Sequence, residues 1–337
     1  MGAPSIAHER DVLNASRFDP EGTKGFYESY FQRANHRTQP LAFWIRYTVF
    51  NPRGRPDDAV GQLWAVFFDG TTGRNVALKH SVPVSDCSFS PSGLRVRIGE
   101  ASLDDRGLRG CISQGGRTMS WDLTYAGDKR PLLLLERGSY ERRFPGAKAL
   151  CGMPLATFSG ALTVDEHTVG IDDWVGTQNH NWGTKHTDRY AWGQVAGFDN
   201  DASAVLECST ARLKLGPVWT PWLTLVVLRL EDREFALNGY RQALRTHGKY
   251  GYFSWVIDGA SKNARIRVFM EAPKESFVGL TYENPPGGVK TCLNTKLANC
   301  QVIVEPARSE RIQLRTDSRA AFEIVTDDGP HGVTMAT

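Results

Sequence analysis

Over most of the chain, apolar residues return every second position rather than every third or fourth. LAFWIRYTVF (41–50), QLWAVFFDG (62–70), LRVRIGEASL (94–103), TMSWDLTYAG (118–127) and ALTVDEHTVGI (161–171) alternate or are rich in β-branched and aromatic residues. YAWGQVAGF (190–198), ASAVLECSTARL (202–213), WLTLVVLRL (222–230), ARIRVFMEA (264–272) and FEIVTDD (322–328) continue the pattern. A two-residue period puts one side of each segment in a core and leaves the other out, which predicts strands. The turn formers NPRG, DGTTG, SPSG, AGDK, FDND and NPPGG separate them. One stretch predicts a helix. In VKTCLNTKLANC (289–300), Val289, Cys292, Leu293, Leu297 and Cys300 repeat at helical spacing after a Gly–Gly break. No run of strands alternates with long helices, so a doubly wound fold is disfavoured. The expected fold is all-β: two consecutive antiparallel barrel or sandwich domains with few short helices.

A chain of 337 residues suits two such domains. RFPGAKALCGMPLATFSG (143–160) is rich in Gly, Pro and Ala and has little periodicity, so the crossing is expected there. The expected division is an arm over 1–20, domains over 21–155 and 156–328, and a flexible tail over 329–337.

Composition then narrows the function. The net charge is +3, and Lys and Arg form no block. A nucleic-acid partner is therefore not expected. The N-terminal residues carry no apolar signal region, and Ile6 breaks the myristoylation pattern. WLTLVVLRL is far shorter than the ~20 residues of a membrane helix. A cytoplasmic protein is expected, with peripheral membrane contact left open. The six cysteines form no CxxC and read as free buried thiols. Dinucleotide, Walker, nucleophile-elbow and HExxH motifs are missing. No metal and no organic cofactor are expected.

GTQNHNWGTKHTDRYAWGQV (176–195) gathers two histidines, two tryptophans, a tyrosine and four carboxamides. On strands, His180 and Trp182 share a face, and so do Tyr190, Trp192 and Gln194. With TKHTD as a turn, the two segments are expected to be a hairpin or neighbouring strands. In the next strand Val205, Glu207 and Ser209 share a face. An aromatic surface with a few polar groups is the usual make-up of a small-molecule pocket. The same residues also suit a plain core, with indole N–H groups on carbonyls and Asn179 and Asn181 as turn formers.

Three patches resemble the two-domain lipocalin-like superfamily of carotenoid hydratase (hydroxyneurosporene synthase), AttH-like proteins, tocopherol cyclase and fungal Diels–Alderases. GFYESYF (25–31) with LAFWIRYTVFNP (41–52) resembles its opening strand and aromatic partner strand. GALTVDEHTVGIDDWVGTQNHNWG (160–183) resembles the segment ending in D-H-x-W-G, and YAWGQV (190–195) resembles the W-x-Q strand. The resemblance implies two β-barrel-like domains with a site near their junction. It implies that His180 and Trp182 serve the reaction with an acid on a following strand, where Glu207 stands. Asn179 replaces an Asp common in the family and cannot donate a catalytic proton, which opens the way to a cyclase or a binding protein.

The implied chemistry is protonation of an alkene, then hydration or cyclisation, on an apolar isoprenoid-like or polyketide-like molecule, without a cofactor. Burial keeps a carboxylic acid protonated, and aromatic faces stabilise a carbocation. Glu207 is the expected acid and His180 its acid–base partner. Trp182, Tyr190, Trp192, Gln194, Asn181, Asn179 and Glu28 are expected to bind substrate. Glu28, Asp172 and Asp173 are the next candidates for the acid. A non-catalytic carrier of a lipophilic ligand shares the cavity but needs no acid, and a purely structural protein would have filled barrels.

Overall fold

The computed structural model describes residues 4–231, 233–326 and 331–336. The chain is all-β, with two curled antiparallel sheets and two short α-helices, α1 (Ile6–Asn14) and α2 (Tyr240–Arg245). The first sheet holds β1 (Phe26–Asn35), β2 (Leu41–Asn51), β3 (Val60–Asp69), β4 (Val76–Pro83), β5 (Cys87–Phe89), β6 (Arg95–Ile98), β7 (Ala101–Asp104), β8 (Gly107–Gln114), β9 (Arg117–Ala126), β10 (Ala147–Val164) and β11 (His167–Gly183). Its order is β4-β3-β2-β1-β11-β10-β9-β8-β7-β6-β5. Next come β12 (Arg189–Ala196), β13 (Val205–Arg212), the small ribbon of β14 (Lys214–Leu215) and β15 (Val218–Trp219), β16 (Leu223–Leu230), β17 (Arg233–Leu237), β18 (His247–Gly251), β19 (Ser254–Ala260), β20 (Ala264–Glu271), β21 (Val278–Glu283), β22 (Val289–Pro306) and β23 (Ile312–Thr326). The second sheet runs β17-β16-β13-β12-β23-β22-β20-β19-β18, with β21 also on β22.

Each sheet curls around its own apolar interior. Tyr30, Phe43, Tyr47, Trp121, Phe158 and Trp174 belong to the first. Val195, Leu206, Val226, Trp255, Met270 and Phe322 belong to the second. A third cluster lies between the sheets and is built from outward-facing residues: Phe31, Trp44 and Trp64 of the first, and Trp192, Val205, Leu280 and Tyr282 of the second. Strand alternation makes this double use possible. On β12, Ala191 and Val195 enter the second sheet's interior while Trp192 points to the first sheet.

Four expectations change. Residues 289–300 are not helical but form most of β22. This strand pairs with β21 and β23 and is buried on both faces from Cys292 to Ala298, so the simple alternation is lost. The crossing between sheets is not at 143–160, because β10 pairs with β9 and β11 inside the first sheet. The chain changes sheet between Gly183 and Arg189. β11 and β12 are therefore neither a hairpin nor neighbours in one sheet. Finally, the end of the chain is tied down. Val333 is buried, the Gly279 amide donates to Thr334 O at 3.0 Å, and the Ala336 amide donates to Gly279 O at 2.8 Å. Residues 329, 330 and 337 of the expected tail lie outside the described residues.

The arm is also packed. Helix α1 is capped by the Ser5 hydroxyl, which accepts from the His8 amide at 3.2 Å. Leu13 packs with Leu150 and Trp182, and Glu9 pairs with Arg130 and Arg137. Among the described residues all six cysteines are free, and no helix is long and apolar enough to cross a membrane.

At the β1–β11 contact, Gly176 pairs with Ala34. A Cβ there would sit 1.9 Å from Arg33 O and 2.7 Å from Ala34 Cα. Backbone cannot yield as a side-chain tip can, so Gly176→Ala is expected to destabilise the protein by about 1–3 kcal/mol. An unchanged denaturation midpoint in Gly176→Ala would contradict this.

Candidate functional site

The outward faces of the two sheets do not close completely. Between them lies a cavity of about 380 Å³, covered by residues from the 134–150 segment and from α2. Tyr27, Phe31, Trp44 and Arg46 line it from β1 and β2, and Tyr190, Trp192, Glu207 and Glu323 from β12, β13 and β23. The position follows from strand parity. Odd residues of β1 and even residues of β12 point away from their own sheet's interior, towards the opposite sheet.

Glu207 is 2% exposed. Its Oε1 accepts the indole N–H of Trp192 at 3.0 Å, while Oε2 is buried with no hydrogen-bond partner. Burial raises its pKa to about 7, against the smaller lowering effects of the Trp192 hydrogen bond and the Arg33 charge. An indole N–H can only donate. In the protonated acid, Oε1 is therefore the carbonyl oxygen, and the proton belongs on the free Oε2.

A second carboxylate lines the same cavity. Glu323 Oε1 accepts from Lys296 Nζ at 2.8 Å and from Asn294 Nδ2 at 2.9 Å. Burial pushes the Lys296 ammonium below its ordinary pKa, and the Glu323 charge works against that. Lys296 also lies over the rings of Trp44 and Trp192, 5.6 and 5.8 Å from their centroids. His186 stacks on Tyr27 with centroids 4.0 Å apart. Burial, helped by the nearby Arg46 charge, lowers its pKa to about 3, so the ring is neutral. Among the described residues no cluster of three His, Cys, Asp or Glu side chains could hold a metal ion.

The structure separates the residues anticipated from sequence. Tyr190 and Trp192 line the cavity beside Glu207. Asn181 also lines it, with Oδ1 buried and unpartnered. Asn179 reaches the wall, but its amide is engaged, donating to Thr177 Oγ1 at 2.7 Å and accepting from Gln194 at 2.8 Å. Gln194 is fully committed as well, since its Oε1 accepts from Thr177 Oγ1 at 2.8 Å and Arg33 Nε at 3.2 Å. These amides join the sheets rather than waiting for a ligand.

His180 and Trp182 require a correction. They share a strand face as expected, but not the one bearing Asn179 and Asn181. His180 Nδ1 is 3.0 Å from Leu13 O and Nε2 is 2.9 Å from Glu28 Oε1, so both nitrogens are taken. Its ring stacks on Tyr30 at 4.2 Å, and Trp182 lies 3.8 Å under the Arg17 guanidinium. His180 borders the cavity wall, whereas Trp182 and Glu28 are not in it. Glu28 accepts from Ser16 Oγ at 2.6 Å and from the Arg17 and Phe18 amides. Burial pushes the Glu28 carboxyl up, but the His180, Ser16 and Arg17 hydrogen bonds outweigh it and hold the pKa below the usual range. For His180, burial lowers the pKa and the Glu28 bond opposes it. This buried set fastens the arm to the sheet. Asp172 and Asp173 are exposed and remote from the cavity wall.

Solved structures share this architecture. Kievitone hydratase from Nectria haematococca aligns with a TM-score of 0.58 at 13% identity, over 90% of this chain and 89% of that one. An AttH-like protein (NE1406) from Nitrosomonas europaea aligns at 0.54 and 10% identity, over 90% and 92%. CghA aligns at 0.54 and 12% identity, over 94% and 95%. The chain shares the two-sheet fold of these proteins. At such identities the lipocalin-like likeness establishes the fold and not the reaction. In sequence, the chain is 29% identical over 219 residues to two Mycobacterium tuberculosis proteins, MT0513 and Rv0493c. The match spans 64% of this chain and 65% of theirs, just under two thirds of their length. No family model matches.

Within this lipocalin-like frame, the sequence reading missed Arg46, His186, Tyr282 and Glu323. One signal was available: Arg46 interrupts the apolar run LAFWIRYTVF, and a charge inside such a strand needs a reason. His186 lies in a segment that read as a plain turn.

The latch assignment yields a prediction. His180→Ala removes the buried ring that bridges Leu13 O and Glu28 Oε1 and leaves each with Arg17 as its remaining partner, an expected loss of about 1–3 kcal/mol. Brief trypsin treatment should then cut near Arg10 and Arg17 well before the rest of the chain. Wild-type resistance at those sites in the variant would contradict the latch.

Proposed function

We propose that this protein is a cofactor-independent acid–base enzyme that protonates an apolar isoprenoid-like or polyketide-like small molecule in the cavity between the sheets. Hydration or cyclisation would follow. The observation that carries the reading is Glu207, a carboxyl of the cavity wall that burial raises to about 7, with one oxygen unpartnered. A carrier of lipophilic ligands would need the cavity but gain nothing from this acid. Burying a carboxyl to this degree costs stability once it ionises, by about 3 kcal/mol for a shift from 4.5 to about 7.

In the proposed step, Glu207 Oε2 gives its proton to one alkene carbon as the π electrons form the new C–H bond. The cation left on the other carbon is held against the aromatic rings of Trp192, Phe31 and Trp44, each worth roughly 0.5–2 kcal/mol. Water then adds and returns a proton to the Glu207 carboxylate, or an internal hydroxyl closes a ring and gives its proton to the same carboxylate. Asn181, with its free Oδ1, is placed to orient a hydroxyl or a water. His180 takes no part in this scheme, because its nitrogens are held by Leu13 O of the arm and Glu28 of β1.

Glu207→Gln keeps the shape and removes the proton. In deuterated water, wild-type protein should introduce deuterium into a bound alkene, read by mass spectrometry, and Glu207→Gln should lose at least the ~10²-fold typical of a general acid. Equal incorporation by both would remove Glu207 as the acid. The reaction needs the protonated form, so kcat/KM should fall as pH rises through about 7.

Stability has the same sign. Between 4.5 and about 7 the folded state holds a proton that the unfolded state has lost, so stability falls as pH rises across that window. Glu207→Gln should remove this component from the denaturation curves. Trp192→Phe removes the hydrogen bond that favours the carboxylate, so the upper pH limb should move to higher pH. A limb unmoved in Trp192→Phe would break the link between the indole and the acid.

A further inference from the structure

Arg46 is 4% exposed and lines the cavity. It makes no salt bridge among the described residues. Nη2 donates to Ser29 Oγ at 2.6 Å, and Nε is buried without a partner. The guanidinium lies 4.7 Å from the centre of the Tyr282 ring, an attraction too weak to replace a counter-ion. A buried cation without an anion is costly.

The charges around it do not supply that anion. Glu323 is occupied by Lys296 at 2.8 Å. Glu283, on the strand carrying Tyr282, is held by Lys79 at 2.9 Å and Gln62 at 2.6 Å. Glu207 lies beyond the Phe31–Trp192 edge contact, whose ring centroids are 6.1 Å apart, and it is bonded to Trp192. His186 beside Arg46 is neutral. The cavity wall thus holds Arg46, buried on β2 with no ion pair among the described residues, and a carboxyl group on β13, with the rings of Phe31 and Trp192 beside them.

We propose that the ligand of this cavity carries an acidic head, a carboxylate or an enolate, which Arg46 binds while the apolar body extends along Phe31 and Trp192 towards Glu207. The inference rests on the cavity being the functional site proposed above, but not on Glu207 being the acid. It narrows the substrate class from apolar hydrocarbons to amphipathic acids. A guanidinium suits this task because its planar fork can donate two parallel hydrogen bonds to one carboxylate. Other cations in the cavity wall are differently engaged. Lys148 donates to Arg142 O and Pro145 O, and Arg212 stacks on Trp219 and Trp222.

Two probes of matched shape, naphthylacetate and the neutral naphthylethanol, test this by titration calorimetry. Wild-type protein should bind the acid at least about tenfold more tightly than the alcohol, the gain expected from a charge-assisted pair. Arg46→Met should abolish that preference while still binding the alcohol. Arg46→Lys, which keeps the charge and loses the fork, should retain a reduced preference. Glu207→Gln should leave the preference intact, so a failed head-group assignment can be told from a failed acid assignment. Equal affinities in the wild type, no binding of the acid, or a preference that survives Arg46→Met would each overturn the proposal.

Discussion

Two curled sheets bury their outer faces against each other, and everything functional follows from that contact. A barrel that uses only its interior has a polar exterior. Here β1, β2, β12, β13 and β23 must be acceptable on both sides, so they carry Trp44, Phe31 and Trp192 where water would otherwise be. The seam is joined by polar groups as well as apolar ones. Arg33 is fully buried and spans it, donating to Gln194 Oε1 at 3.2 Å, Gln194 O at 3.1 Å and Asn35 Oδ1 at 2.9 Å. Burial lowers even this guanidinium, to about 10. Such a network is tolerable only when its members are satisfied, which fixes how the sheets meet.

The buried charges divide into two kinds. Lys296 with Glu323, and Glu28 with the arm, are compensated within the protein and act as fasteners. Glu207 and Arg46 have unspent capacity and face the cavity. Buried polar groups are rarely left incomplete by a fold. Under the proposed function this difference, rather than residue type, divides fasteners from ligand-facing groups, since each kind contains an acid and a base.

The sequence disclosed the fold class well because a two-residue period survives wherever a strand has one wet face. It also disclosed the common face of Tyr190, Trp192 and Gln194 and that of Val205 and Glu207. It misled where both faces are dry. On β11, Thr177, Asn179 and Asn181 face the other sheet while Gln178, His180 and Trp182 face the arm, and nothing local says which set meets a ligand. The same double burial gave β22 a helix-like spacing. The Gly-rich run at 143–160 resembled a linker for another reason. β10 is bent by irregularities after Cys151, Met153 and Phe158, and at Gly152 a Cβ would lie 2.2 Å from Gln178 Oε1. Gly152 and Gly160 serve close packing within a sheet.

The arm carries an implication for how the chain comes into being. Leu13 and His180 are 167 positions apart. A polypeptide leaving the ribosome exposes α1 long before β11 exists to receive it. Until then Leu13 and the segment that caps Glu28 have nowhere to dock, so α1 is among the last parts to settle on the first sheet. Contacts of such long sequence separation form slowly. Assembly of the first sheet ends when its beginning returns to it.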